Sequence, residues 1–380
     1  MSYSSISDHR SMVLDGHRNA AYMRALEKVV ASGCKVMDLG AGLGVHGLNA
    51  AYLGAEKVYL VEPAPVIEAA RLVASANNLL NVECHPCRVE ELQLDEQVDV
   101  IVSVFTGNFL LTEDLLPSLF YARDHFLAPG GKMIPDRARM EVVPVTAADY
   151  YLEHIEAWSA YPEHAAASNL PALDYQAVQS FAANTMYYDD ADSFQALALA
   201  APAPLMELDF TVASSTDCDS QIKVEISEDG VCHGWLGWFQ AHLVDEWLST
   251  GLEESPTHWR QVFMPLEQPL RVEAGERLGF SLKRPEHGEW TWTTEQAGQR
   301  QRLSTFLSQP LTPDRIRRSS DSYQPDLSPR GEAARWLLPL MVGDVAVSQL
   351  ADEVAVRFPG LFASYPQALK FVKDLAERYS

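Results

Sequence analysis

The sequence predicts an α/β fold: a Rossmann-like domain, then an antiparallel β-barrel domain with a helical arm, then a small C-terminal helical module. Three observations predict it. Apolar strands alternate with helices around a glycine-rich turn as far as Ile134, the pattern of a parallel sheet with helices on both faces. Beyond residue 138 the pattern changes to short strands separated by turns, which reads as antiparallel pairing. Past residue 330 three stretches carry apolar residues at helical spacing. The expected division is 1–138 for the Rossmann-like domain, 139–310 for the barrel with its arm at about 150–200, 311–330 for a linker and 331–380 for the module.

Taken in order, residues 9–32 read as mostly helical: Met12, Leu14, Ala21, Ala25 and Val29 recur near the helical period, and Gly16 marks a break point. Val36–Leu39 reads as a strand, Val45–Leu53 as a helix of small residues, Val58–Val61 as a strand and Val66–Ala76 as a helix. Val98–Val102, apolar except for Asp99, has the composition of a strand buried on both faces. Leu115–Leu127 reads as a helix closed by Pro129, Gly130 and Gly131. Met140–Val143, Met206–Val212, Ile222–Ile226, Gly234–Leu243 and Leu278–Leu282 read as antiparallel strands. Residues 150–200 hold Trp158, Tyr161, Pro162 and Pro171 and read as an arm outside the sheet. The Pro/Ser/Asp/Arg-rich segment 311–330 reads as a linker. Helices are expected at Gly331–Met341, Val347–Arg357 and Pro366–Arg378.

Charge excludes one class of partner. The chain has 380 residues and a formal net charge of −23. Nucleic-acid binding rests on Lys and Arg displacing counterions from phosphates, and no basic run of the needed size is present. An anionic membrane surface is disfavoured for the same reason. Residues 300–328 carry +2 and residues 329–380 carry none, so the acidity lies wholly in the first 299 residues. A basic acceptor is therefore permitted. The 47% hydrophobic content is that of a globular chain. No apolar run reaches the roughly 18 residues of a membrane helix. With no secretory pattern at the N-terminus and only five cysteines, a reducing cytoplasm is expected.

The strongest motif is Asp38-Leu-Gly40-Ala-Gly42-Leu-Gly44, between an apolar strand and a helix. Its glycines allow positive φ and close approach of a ligand to the backbone. Glu62 ends the next strand, where a carboxylate can accept both hydroxyls of a ribose. Glu90 and Glu91 follow Val89 near the strand after that. Three acids at successive strand ends beside a glycine turn resemble the class I S-adenosylmethionine-dependent methyltransferases rather than NAD enzymes.

The resemblance narrows to the protein arginine methyltransferase family, from the N-terminus to about residue 285. The motifs that carry it are Tyr3…His9-Arg-Ser-Met12-Val-Leu-Asp15-Gly-His-Arg18, the glycine turn, Leu127-Ala-Pro-Gly-Gly…Ile134-Pro-Asp-Arg and Thr257-His258-Trp259. The resemblance implies S-adenosyl-L-methionine as cofactor. It implies Met12, Arg18, Asp38, Gly40, Gly42, Gly44, Glu62, Val89 and Glu90 as its contacts, with Arg18 on the cofactor carboxylate and Met12 near the sulfonium. It implies Tyr3, Val104, Phe105, Asn108 and Trp259 at the acceptor, and Asp15 with His258 as an auxiliary proton-accepting pair. It also implies a homodimer held by the arm. No metal is expected.

One position departs from the family pattern. The reaction loop there carries two glutamates, which suit a planar, forked guanidinium. In Ser103-Val-Phe-Thr-Gly107-Asn-Phe-Leu-Leu-Thr-Glu113 the second is present as Glu113 and the first has become Val104. The lost charge-assisted hydrogen bond is worth roughly 1.5–3 kcal/mol. Three readings follow: arginine held by one carboxylate, a different nucleophile needing one base, or a silent scaffold that keeps the cofactor fold. The retained Asp15 and His258 argue against silence. The leading reading is an N-methyltransferase for an arginine or similar basic nitrogen in a peptide or small molecule, with Glu113, Asp15 and His258 as its proton-handling groups.

Other features are assigned to structure. Cys84-His-Pro-Cys87 has no second CxxC and reads as incidental thiols. His46, just inside the helix after the glycine turn, is placed where it could approach the cofactor, but it reads first as a polar helix-start residue. Trp235, Trp238, Trp290 and Trp292 read as barrel core. Arg315-Ile-Arg317-Arg318 reads as a solvated linker. The C-terminal module reads as a helical cap or, more sharply, as a recognition unit for a peptide or carrier partner.

Overall fold

The structure, a computed structural model, describes residues 5–379. It divides after Pro310 into two compact units. The first begins with two helices, α1 (Ile6–Val13) and α2 (Gly16–Val29). The mostly helical stretch expected over 9–32 is broken at Leu14–Asp15, beside the break point expected at Gly16. Asp15 is the cause: its side chain accepts the Arg18 amide proton and caps the first turn of α2.

A five-stranded parallel sheet follows, built from β1 (Lys35–Leu39), β2 (Lys57–Val61), β3 (Val82–His85), β4 (Val98–Ser103) and β5 (Leu127–Ile134) in the order 3-2-1-4-5. Helices α3 (Val45–Tyr52), α4 (Ile67–Ala76) and α5 (Leu116–Phe126) connect the strands. β1 and β4 are largely apolar inward: Val36, Met37, Val100, Ile101 and Val102 are buried, with Asp38 and Ser103 the buried polar residues toward their C-terminal ends. Strand order reverses between β1 and β4, so a crevice opens at their C-terminal ends, where doubly wound sheets bind ligands. The helix expected to close at Pro129, Gly130 and Gly131 ends at Phe126, and the chain passes directly into β5. Pro129 and the two glycines sit instead in an edge strand, a position that tolerates them.

The rest of the first unit holds two antiparallel sheets. Their strands are β6 (Arg137–Thr146), β7 (Tyr187–Asp189), β8 (Leu197–Ala198), β9 (Ala203–Asp209), β10 (Cys218–Glu225), β11 (Gly230–Leu243), β12 (Glu246–Ser249), β13 (Gln261–Val272), β14 (Arg277–Arg284), β15 (Thr291–Gln296) and β16 (Gln299–Ser304). One sheet runs 7-13-11-6-8, with β12 beside β11 and β9 beside β6; the other runs 10-14-15-16. They share one barrel-like core. The Trp235 indole N–H of β11 donates to Thr294 Oγ1 of β15, and its ring lies 4.4 Å from Phe280 of β14. Trp238, three residues on, points to the opposite face and donates to Glu141. All four tryptophans expected in the core are buried.

Helices α6 (Ala148–His154), α7 (Tyr161–Ala167) and α8 (Gln176–Ala183) form the arm. The reading of 150–200 as wholly outside the sheet is corrected here, because β7 pairs with β13 and β8 with β6. Strands of two and three residues carry too little pattern to be seen in sequence.

The second unit contains α9 (Pro313–Arg318), α10 (Pro329–Leu337), α11 (Val347–Arg357) and α12 (Tyr365–Tyr379). The segment expected as a linker therefore carries a short helix, capped by Thr312. Ala333, Leu337, Leu350, Val354, Phe371 and Val372 close a core of its own.

Candidate active site

The site is assembled at the crevice beside β1. After Leu39 the chain turns through Gly40, Gly42 and Gly44, all at positive φ. Two of these are forced by close approach as well. A Cβ on Gly40 would lie 2.1 Å from the Phe105 ring, and one on Gly42 2.8 Å from the His9 ring. Asp38 reaches over the turn and accepts the Gly47 amide proton at 2.7 Å. Its burial pushes the carboxyl up to about 7. Glu62, directly after β2, accepts from Gly42 N at 3.1 Å and Ala64 N at 2.8 Å. Val89 is buried in a single 3-10 turn, while exposed Glu90 accepts from the Ser118 hydroxyl.

The α1–α2 corner supplies the opposite wall. Arg18 is 2% exposed. Its Nη2 donates to Met12 O at 2.6 Å and to Asn19 Oδ1 at 2.8 Å, while its buried Nη1 has no partner. Met12 itself is half-buried. A buried guanidinium nitrogen without an acceptor is costly, and an anionic group placed there would supply the missing acceptor. Tyr3 lies outside the described residues.

Asp15 and His258, 243 residues apart, meet here. Asp15 Oδ2 accepts from His258 N at 2.8 Å and faces its Nδ1 at 2.9 Å. Burial works against the Asp15 carboxylate, but hydrogen bonds from His258 and Arg18 outweigh it and hold the group below the usual range. Burial drives His258 below its ordinary value despite Asp15. With Nδ1–H committed to Asp15, the neutral ring keeps its Nε2 lone pair as a proton acceptor. The charge of Glu113 reaches His258, so the two lie in one electrostatic neighbourhood.

The loop that carries Glu113 is clamped from several sides. Trp259 is buried, and its indole N–H donates to Thr106 O at 2.7 Å. Asn108 Oδ1 accepts from Arg260 N at 2.8 Å. Both residues were expected at the acceptor; in this structure their polar atoms hold the loop. Phe105 is half-buried beside Gly40, and half-buried Val104 packs on the core. Phe109, at positive φ, fills the space left by Gly237.

Sequence reasoning missed a further clamp. Arg284 of β14 is 3% exposed, lies over the Trp290 ring and donates to Asp114 Oδ1 at 2.6 Å. Nothing local in the sequence links them. Among the described residues Asp114 is the one counter-charge bonded to Arg284, and Asp114→Asn removes it. Asp114 is about a third exposed, so the expected cost is about 1–3 kcal/mol, less than for a fully buried pair. A drop of a few degrees in Tm would register it.

His46 is corrected. The N-cap of α3 is Gly44, with no side-chain cap. His46 is instead buried, stacked on Tyr22 with ring centroids 4.3 Å apart. Cys84 and Cys87 are free and half-buried, and burial pushes both thiols up. Among the described residues no cluster of metal-binding side chains occurs, and no helix is long and apolar enough to cross a membrane.

A doubly wound parallel sheet with a glycine-turn crevice, joined to an antiparallel body that returns a histidine to it, defines a class I methyltransferase architecture. The comparisons agree. Residues 19–134 match the family described as ribosomal protein L11 methyltransferase (PrmA), and residues 136–290 the arginine methyltransferase oligomerization subdomain. The chain is 31% identical over 291 residues to protein arginine N-methyltransferase 6 of Xenopus tropicalis, covering 71% of this chain and 81% of that one. It is 30% identical over 303 residues to the probable histone-arginine methyltransferase CARM1 of Oryza sativa subsp. indica, covering 77% and 57%. Among solved structures, the Trypanosoma brucei PRMT1 enzyme–prozyme heterotetrameric complex with AdoHcy superposes with TM-score 0.71 at 28% identity, over 80% of this chain and 99% of that one. Arabidopsis thaliana protein arginine methyltransferase 10 shares the fold with TM-score 0.67 at 24% identity, over 80% and 99%. The chain belongs to the protein arginine methyltransferase family. It spans about half the length of the first curated relatives it matches.

Proposed function

We propose that this chain is an S-adenosylmethionine-dependent N-methyltransferase whose acceptor is an arginine guanidinium or a similar basic nitrogen in a peptide or small molecule. The observation that carries the reading is the meeting of three parts at one crevice: the Asp15–His258 pair, the clamped loop bearing Glu113, and the glycine turn with Glu62 and the unpartnered Nη1 of Arg18. The residues fit the cofactor. Arg18 offers a buried cation to its carboxylate, Glu62 a carboxylate to its ribose, and the glycines a backbone that a ligand can approach. When bound, S-adenosylmethionine supplies an electrophilic methyl carbon on a sulfonium that leaves as a neutral thioether.

The chain's own residues do the rest. Glu113 holds the cationic acceptor and favours the lone pair of its attacking nitrogen. The clamped loop fixes that nitrogen's direction, and positioning of this kind is the main rate contribution. The proton released from the nitrogen passes to Glu113 or to Nε2 of neutral His258, with Asp15 stabilising the resulting imidazolium.

Incubation with methyl-labelled cofactor and a panel of arginine, arginine-rich peptide and cell extract tests this. Transfer to arginine supports it. Transfer only to extract supports the second reading, a non-guanidine nucleophile, which Val104 favours. Binding without transfer marks a silent scaffold. A basic acceptor is expected to bind less well as salt rises, because the acidic body attracts it. Glu62→Ala is expected to weaken S-adenosylhomocysteine binding about tenfold, through loss of charge-assisted hydrogen bonds to a ribose, and Asp38→Ala to weaken it as well; calorimetry reads both.

A homodimer held by the arm is part of the proposal. Leu170 and Leu173 of the arm are about half exposed, as are Tyr52, Leu72 and Leu80 on the outer face of the cofactor domain or more so. Apolar area of this kind calls for a partner surface. Light scattering is expected to give a dimer at micromolar concentration, and Leu170→Asp with Leu173→Asp a monomer. The free thiols support a reducing, cytoplasmic setting. The second unit, which closes a core of its own, is proposed as a peptide or carrier recognition module.

A further inference from the structure

His46 is a buried titratable side chain beside the crevice to which the reading above gives no role. It is 3% exposed, and both ring nitrogens are buried without a partner. A stacked aromatic role alone would favour an apolar ring, since each unsatisfied polar atom carries a desolvation penalty. Its surroundings say what ligand would remove that penalty. The ring stacks on Tyr22, one helical turn past Arg18 on α2. The charge of Arg18 acts on His46, and Arg18 has its own unpartnered buried nitrogen. The next residue, Gly47, bonds Asp38 at the base of the glycine turn. Two buried groups with unsatisfied hydrogen-bonding capacity therefore lie on α2 and α3, which pack against each other through the Tyr22–His46 stack beside the glycine turn. A second cation there would be repelled by Arg18; an anion is attracted by it and can accept from both.

We infer that His46 is a specificity residue for the amino-acid end of the cofactor, its ring N–H donating with Arg18 Nη1 to the same carboxylate. The inference rests on the cofactor reading above. Burial first, then the charge of Arg18, holds His46 well below its ordinary value, so it acts as a neutral donor and not as a second cation. Its contribution depends on the ligand having a carboxylate.

The test uses the full-length protein, calorimetric titration and two ligands: S-adenosylhomocysteine, which has the amino-acid end, and 5′-deoxy-5′-methylthioadenosine, which lacks it. His46→Leu keeps the volume and apolar stacking surface. It is expected to weaken S-adenosylhomocysteine about five- to tenfold and leave methylthioadenosine unchanged. His46→Gln, which restores an N–H donor, is expected to recover most of the loss. Equal weakening of both ligands, or of neither, in a variant whose melting curve shows it folded would overturn the role of His46 while leaving the cofactor reading intact. If wild-type protein binds neither ligand, the cofactor reading itself falls and this inference with it.

Discussion

Glu113→Gln is expected to lower turnover by on the order of 10²–10⁴-fold, the range of a lost general base, with S-adenosylhomocysteine affinity unchanged. The substitution is isosteric and removes one charge. The loop around it should survive, because its clamps are made by other residues: Trp259 on the Thr106 carbonyl, Asn108 on the Arg260 amide and Asp114 on Arg284. The cofactor contacts lie on α2 and the ends of β1 and β2. The loss should therefore fall on kcat. Initial rates with labelled cofactor, beside calorimetry on the same preparation, separate the two effects. Full activity would remove Glu113 from the mechanism and leave His258 to accept the proton unaided. The pH profile of the wild type gives a second check. His258 accepts only when neutral, and burial holds its pKa below 6.5. Activity should accordingly hold from neutral pH downward and fall only at a pH below 6.5.

How much of this was legible in sequence follows from which contacts are local. The glycine turn, Asp38 and Glu62 fall within one strand–turn–helix–strand unit, so local spacing alone brings them together at one turn. Asp15 and His258 are separated by 243 residues; no spacing rule joins them, and only the family resemblance does. The break at Asp15 was marked by Gly16, yet its consequence, a helix cap that doubles as a partner for His258, needs the fold. β13 was missed because Pro265 and Pro269 interrupt its run, and β15 and β16 because Thr, Glu, Gln and Arg dominate them. In each case the pairing partners, not intrinsic propensity, decide the strand. Arg284 with Asp114 and His46 on Tyr22 are long-range side-chain meetings with no sequence signal, and both border the site.

The departure at Val104 sets the last expected result. Val104→Glu is expected to raise kcat/KM for an arginine peptide by roughly 10–100-fold, the equivalent of one charge-assisted hydrogen bond of about 1.5–3 kcal/mol. Position 104 directly follows the end of β4 and precedes Phe105, whose ring lies against the glycine turn. A carboxylate there would face the same crevice as Glu113, and a guanidinium could then be held bidentately between the two. In the absence of acceptor the new carboxylate is half-buried against the core, so the variant should be less stable by about 1–3 kcal/mol. Thermal melts alongside kinetics would show stability falling while arginine methylation rises. If the native acceptor is not a guanidine, the same variant should lose activity on cell extract while gaining it on arginine, because the added charge suits only a cation with two donor edges. A folded variant with unchanged rates on both would mean that the acceptor does not contact position 104, and that Val104 is not the residue that sets acceptor choice.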